Sequence, residues 1–294
     1  MPRAALLSLH ARVKSVGPAI LEHASLLQLW GPRWSNYVVA AKDLAVFSLG
    51  RLSDHPRRRA RALDTAAKLH AALKGRKIPF GQAGRELGVV HNSLRYAAPT
   101  GRVLIFWDGA KQPLVWTVNA PAMEPSQARL ELARRYLHVF GPTSSESFGD
   151  WAGILPAEAR SAFSLLAREL TEVHTPIGDR FILTADAAAF RSKEKPAAGA
   201  RLLPSGDTFF LLWGDDRKLL IPDAKQRAAL WTSRVWPGAL LLNGEIAGVW
   251  RRAGAAVSIE AWRKLTPRER AAAEAEALSL PLPGLRGPIG IAWN

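Results

Sequence analysis

A chain of 294 residues, 48% of them hydrophobic, is long enough for roughly two to four small domains and apolar enough to bury a core, which excludes a disordered segment. Forty Lys and Arg against 25 Asp and Glu leave a net charge of +15, which favours a polyanionic partner, although an Arg-rich composition alone produces the same sign. The absence of cysteine excludes disulfides, thiolate metal sites and a cysteine nucleophile; no apolar run reaches the roughly 18 residues of a membrane span, so a cytoplasmic protein is expected.

The opening residues turn polar too quickly for a secretory signal, and residues 2–13 read as a helix. Residues 18–29 read as a second helix, 35–39 as a short strand, and 43–52 as a helix capped by Asp43. Residues 1–57 are therefore expected to form a first winged-helix unit, short at its N-terminal end. In residues 63–74, Leu63, Ala67, Leu69 and Leu73 supply an apolar helical face that ends at Gly75-Arg-Lys-Ile-Pro79. Two short helices, 81–87 and 92–97, then precede β-rich runs at 103–107 and 114–118. Asp108-Gly109 lies between those runs, a strong hairpin signal that completes a second unit over 58–122.

The third unit, 123–190, carries the clearest pattern. Leu130, Ala133, Leu137 and Phe140 share one face of a helix over 128–140, Gly141-Pro142 stops it, and Thr143 or Ser144 caps a second helix through Trp151. After a tight turn at 153–156, Ala159, Phe163, Leu166 and Leu170 face inward from a third helix, 157–170. That face leaves Arg160, Ser161, Ser164 and Arg168 exposed. Two strands, 171–174 and 180–184, follow. Helix, turn, helix and hairpin make a winged helix, a fold that most often binds duplex DNA.

Residues 191–199 read as a polar linker to a β-rich C-terminal region, 191–294 in all. Its strands are expected at 208–213, 219–221, 239–242 and 246–250, the last two joined at Asn243-Gly244, with a closing helix at 267–278. The fold class is α+β: three tandem winged-helix units and a β-rich tail region.

Basic residues mark the expected DNA surface. The densest run is Arg51, Arg57, Arg58, Arg59 and Arg61, whose guanidinium forks suit phosphate; a solvated face is the bland alternative. Arg76 and Lys77 flank the second unit's first helix, Lys111 sits at its wing tip, and Arg95 lies on its recognition helix. Arg160 and Arg168 play that part in the third unit. Trp34 and Arg33 stand together near the first strand; Trp34 is either a plate facing DNA or a core residue. Seven scattered His show no ligand spacing, so neither a metal nor another cofactor is expected.

Four stretches carry a family resemblance. They are Leu26-Leu-Gln-Leu-Trp-Gly-Pro-Arg-Trp-Ser-Asn-Tyr-Val-Val39 with Asp43-Leu44, and Ala133-Arg-Arg-Tyr-Leu137 with Phe140-Gly-Pro142. The others are Leu202-Leu-Pro-Ser-Gly-Asp207 through Asp216-Arg217, and Asn243-Gly-Glu-Ile-Ala-Gly-Val-Trp-Arg-Arg252. Together they resemble the winged-helix DNA-binding family that includes the AlkZ-type DNA glycosylases. The resemblance implies three winged helices around a DNA-sized concavity and removal of bulky or cross-linking alkyl-purine adducts. It also implies a Gln-x-Gln or Gln-x-Asp motif just upstream of a segment like Arg3-Ala-Ala-Leu-Leu-Ser-Leu-His-Ala-Arg-Val13, where this chain has only Met1 and Pro2. No catalytic residue is therefore assigned. Where the family commonly reads Trp-x-Met-Arg-Gly-Thr-x-His, this chain has Trp30-Gly-Pro-Arg33-Trp34-Ser35-Asn36-Tyr37; Arg33 keeps a phosphate-capable group and Tyr37 replaces a proton-accepting His. The expectation is a monomeric, nucleoid-associated protein that binds duplex DNA, alkylated or cross-linked, without a membrane partner. The alternatives are an active monofunctional glycosylase and a transcription regulator.

Overall fold

The computed structural model describes residues 2–107, 112–192, 198–282, 284–285 and 287–294. The chain gathers into two compact units, one from residues 21–188 and the other from residues 3–20 together with 189–294. Among the described residues, no helix is long and apolar enough to cross a membrane.

α1 (Pro2–His10) belongs mainly to the second unit; a 3-10 turn, Pro18–Glu22, follows it. The first unit proper starts with β1 (Leu26–Trp30) and β2 (Asn36–Ala40), an antiparallel pair in register from Leu26↔Ala40 to Trp30↔Asn36. The helix expected over 18–29 is thus a 3-10 turn and a strand. Gln28, Leu29 and Trp30 are all buried, because β1 is an inner strand covered on both faces. A run that is apolar on both sides of one buried Gln has no strand alternation to betray it.

α2 (Leu44–Leu49) leads through residues 50–55 to α3 (Pro56–Leu73). The buried face of α3 is Ala62, Ala66, Leu69 and Leu73; Leu63, expected inside, is 47% exposed. Leu63 lies only one position from Ala62, about 100° round the helix, so it turns to solvent. β3 (Ile78–Pro79), α4 (Phe80–Glu86) and a 3-10 helix, His91–Thr100, come next. β4 (Val103–Phe106) and β5 (Leu114–Thr117) pair antiparallel, and β4 also pairs with β1 at Gln28↔Ile105. The strands of the first two segments therefore form one sheet, ordered β2-β1-β4-β5-β3. Trp30 and Phe80, 4.8 Å apart, pack in the core beneath it with Leu69, Leu73 and Leu94. The expected Asp108-Gly109 turn and Lys111 lie outside the described residues.

α5 (Pro125–Phe140), α6 (Ser145–Ala152) and α7 (Pro156–Leu165) run to a hairpin of β6 (Leu170–Thr175) and β7 (Gly178–Leu183). Tyr136 lies at the centre of their core, its ring centroid within 5.4 Å of those of Phe140, Phe148 and Trp151. Ser144 caps α6 by accepting from Ser147 N–H, and Thr143 bridges to Phe181 of the hairpin. As the helical pattern requires, Ala159, Phe163 and Leu166 are buried while Arg160 and Arg168 are exposed.

The chain returns to the second unit within α8 (Ala187–Arg191), and that unit is built on β8 (Ala200–Leu203), β9 (Gly238–Leu242), β10 (Glu245–Ala253) and β11 (Ala256–Ala261), all antiparallel, with β12 (Gly290–Trp293) added parallel to β11. Between β8 and β9 lie two short helices, α9 (Arg217–Leu220) and α10 (Ala224–Leu230); α11 (Pro267–Ser279) precedes β12. Asn243 and Gly244 adopt φ of 51° and 88°, the left-handed pair that the β9–β10 hairpin turn needs. Strands expected at 208–213 and 219–221 are instead a 3-10 turn, Thr208–Phe210, and part of α9. Asp207 accepts from Phe209 N–H, turning the backbone out of any ladder. The same carboxylate, 1% exposed, accepts both Arg12 Nη atoms at 2.9 and 2.7 Å and Ser8 Oγ at 2.5 Å, clamping α1 and the residues after it to this unit. The Arg217 guanidinium lies 5.0–5.3 Å from the Trp213, Trp231 and Trp236 rings and fills the space between them.

Candidate nucleic-acid interface and its pocket

Residues 50–54, between α2 and α3, form the junction of the first unit. Gly50 sits so close to Val46 O and Ala128 O that a Cβ would come within 2.6 and 2.8 Å of them, so α2 and α5 meet there without a side chain between. Arg129 of α5, itself buried, donates to Gly50 O, Leu52 O and Asp54. Glu158 of α7 accepts from Ser53 Oγ at 2.6 Å, Asp54 N at 2.7 Å and Leu155 N at 2.9 Å, the last capping its own helix. Arg51 completes the junction. Its Nε donates to Ala152 O and its Nη1 to Trp30 O, both at 2.8 Å.

That junction floors a pocket of about 320 Å³. Its polar wall is Arg51, Ser53, Arg58, Arg61 and Glu158; its apolar wall is Trp34, Leu52, Ala62, Tyr96, Pro99 and Ile154. Trp34 and Tyr96 meet edge to face, with centroids 5.3 Å apart. The Arg51 guanidinium lies 4.8 Å from the Trp34 ring, and that of Arg61 lies 3.7 Å from the Tyr96 ring. Arg33 and Trp34 both adopt left-handed backbone, φ 55° and 58°, between β1 and β2. That conformation favours glycine, the residue that the resemblance implies at the position of Trp34, and a bulky residue holds it only where its surroundings repay the strain.

The expected DNA-binding residues fall into three groups. Arg58, Arg61 and Trp34 line the pocket, while Arg57 is exposed beside them and Arg59 is half-buried, 3.8 Å from Asp54. Four of the first six residues of α3 are thus Arg, with no acidic residue in its first turn. Cations at a helix N-terminus oppose its dipole, so this cluster costs local stability and gains from a bound anion.

Inward-turned residues make the second group. Tyr37 packs against Phe47 with its phenol pushed up to about 12 by burial, the Arg51 charge opposing. Arg95 is half-buried, 5.9 Å from the Phe80 ring and 3.5 Å from Trp34 O. Burial also lowers the Arg33 pKa, with Tyr37 and Asp150 opposing.

The third group lies elsewhere on the unit. Arg76 pairs with Glu86 at 2.8 Å and donates to Ala72 O and Leu73 O, capping the far end of α3, about 20 Å of helix from the Arg cluster. Lys77 covers Trp116 at 4.5 Å. Arg160 and Arg168 are exposed, and Arg160 is a minor contributor to the lowered Glu146 pKa, after the hydrogen bonds that Glu146 accepts from its own backbone and from Ser144.

Arg51 differs most from its expected place. Grouped by sequence with an exposed run, it is 3% exposed, and burial pushes its pKa down to about 10, so it stays charged at neutral pH. Glu158 and Ser53 were not anticipated, and the turn at 153–156 was expected only as a connection between helices, not as part of a pocket. The one local signal for them is Glu158 itself, standing at the third position of a helix opened by Pro156.

A family model described as DNA glycosylase AlkZ-like matches residues 1–280. The interstrand DNA cross-link repair glycosylase of Streptomyces sahachiroi is 28% identical over 53% of this chain and 49% of its own length. The chain thus spans about half the length of that curated relative. The solved structure of the Streptomyces sahachiroi DNA glycosylase AlkZ superposes with a TM-score of 0.76 over 99% of this chain and 89% of that one. At 18% identity, that likeness is one of fold.

Proposed function

The chain belongs to the AlkZ-like DNA glycosylase family, and from that premise we propose that it binds duplex DNA through three tandem winged-helix units, recognising alkylated or cross-linked sites in the nucleoid as a monomer. The observation that carries this reading is the arginine cluster at the N-terminus of α3, set beside a pocket with aromatic walls. Helix dipole, free backbone N–H groups and guanidinium forks there all select for phosphate, and no acidic residue in the first turn relieves them. A strand held against this face brings its bases level with Trp34 and Tyr96. Three dissimilar units in one chain supply an asymmetric site, which favours repair over the palindrome reading of a dimeric regulator.

Duplex affinity, measured by fluorescence anisotropy from low to high salt, is expected to fall steeply. Replacing Arg57, Arg58 and Arg59 with Gln flattens the log–log slope by about 0.9 per lost phosphate contact. A slope unchanged in the triple variant removes the cluster from the interface and this reading with it.

A further inference from the structure

The floor of the pocket holds an unsatisfied cation. Arg51 is 97% removed from solvent and its Nη2 has no hydrogen-bond partner. Two backbone carbonyls take Nε and Nη1, and among the described residues no carboxylate pairs with this guanidinium. Glu158, which shares the pocket wall, already serves three donors. A buried charge without a counter-charge costs several kcal/mol, and an orphan buried donor in a native structure marks a place for an acceptor from outside.

The remaining surface narrows what that acceptor belongs to. Leu52, Ala62, Pro99 and Ile154, with the Trp34 and Tyr96 rings, make walls that suit a flat apolar face and repel a hydrated phosphate. Arg58 and Arg61 stand on the same wall and suit a phosphate attached to that flat group. A volume of about 320 Å³ is at the lower end for a ligand site, room for one base and not a stacked pair. Guanidinium donates and never accepts, so it pairs with a carbonyl edge and repels an amino edge. On the edge that a base turns to the major groove in a duplex, guanine offers two acceptors, O6 and N7, and thymine offers O4, where adenine and cytosine carry an amino group; a guanidinium facing that edge tells them apart.

We propose that this pocket takes a single extruded base with a carbonyl edge, guanine being the best fit, and that Arg51 is the residue that discriminates it from an amino-edged base. The proposal rests on the DNA-binding reading above and adds to it a base preference.

The test uses the unaltered protein and five duplexes that differ at one unpaired central position: guanine, hypoxanthine, adenine, 2-aminopurine or an abasic residue. An unpaired base keeps the cost of extrusion low. Hypoxanthine keeps O6 and N7, whereas 2-aminopurine lacks O6. Guanine and hypoxanthine are expected to bind about tenfold tighter than adenine, 2-aminopurine and the abasic duplex. Equal affinities across the series, or an abasic duplex that matches guanine, overturn the proposal. Arg51→Met removes the donors at similar length, and where its melting shows it folded, the guanine preference must vanish; a retained preference also overturns it. Since Arg51 bridges Trp30 O and Ala152 O, the base series decides even where that variant does not fold. Loss of salt-dependent binding to every duplex removes the DNA-binding reading itself, while binding without base preference removes only this inference.

Discussion

Replacing Trp34 by glycine should leave the protein more stable than replacing it by alanine, the reverse of the usual order. Trp34 holds φ at 58° in a loop tied by Gly31 N–H to Ser35 O at 2.8 Å, Trp34 N–H to Gly31 O at 3.1 Å and Ser35 N–H to Pro32 O at 3.2 Å. Those bonds do not involve the side chain, so the backbone keeps its form in either variant. A left-handed L-residue costs about 1–2 kcal/mol, and alanine still bears it. Glycine escapes it but gives back about 0.4–1 kcal/mol through a freer unfolded chain. The balance favours glycine by about 0.5–1 kcal/mol, or roughly 1–4 °C in Tm for a unit of this size. Both variants fall below the parent protein, because both lose the Tyr96 edge contact and the Arg51 cation. Those contacts contribute about 0.5–1.5 and 0.5–1 kcal/mol. Scanning calorimetry on the three proteins reads the order directly. DNA affinity should fall alike in both variants, since the ring is gone from each. A glycine variant that melts at or below the alanine variant refutes the strain argument, and affinities that differ between the two mean that the loop itself has moved.

In the second unit, Arg263 and the Thr266 backbone hold the Glu269 carboxyl down to about 2. A depressed carboxylate stabilises the fold above its unfolded value near 4.5 and loses that contribution as pH falls toward 2. Melting temperature should thus fall over that window, and less steeply in Glu269→Gln; identical acid limbs in the two proteins would remove this carboxylate as their cause.

Sequence alone determined what short-range chemistry decides. The α5–α7 succession is written in its apolar spacing, in Ser144 as a cap and in Gly141-Pro142 as a stop, all within one or two helical turns. The Asn243-Gly244 turn was equally local, whereas the Arg run at 57–61, read as a junction ahead of a helix over 63–74, forms the first turns of α3. Tertiary structure decided everything that depends on what a segment touches. β1 reads as a helix until β2 and β4 cover both its edges, because a continuous apolar run suits either period. Residues 3–20 run directly into the first unit in the chain but are held with the second by Arg12 and Ser8 on Asp207, about 195 positions away. Arg51 belongs by sequence to an arginine run expected to face phosphate, and only the carbonyls of Trp30 and Ala152 turn it into the floor of a pocket. The pocket draws on residues near 34, 51–62, 96–99 and 153–158, four stretches with no relation in sequence, because a binding site is a property of surfaces brought together and not of any one segment.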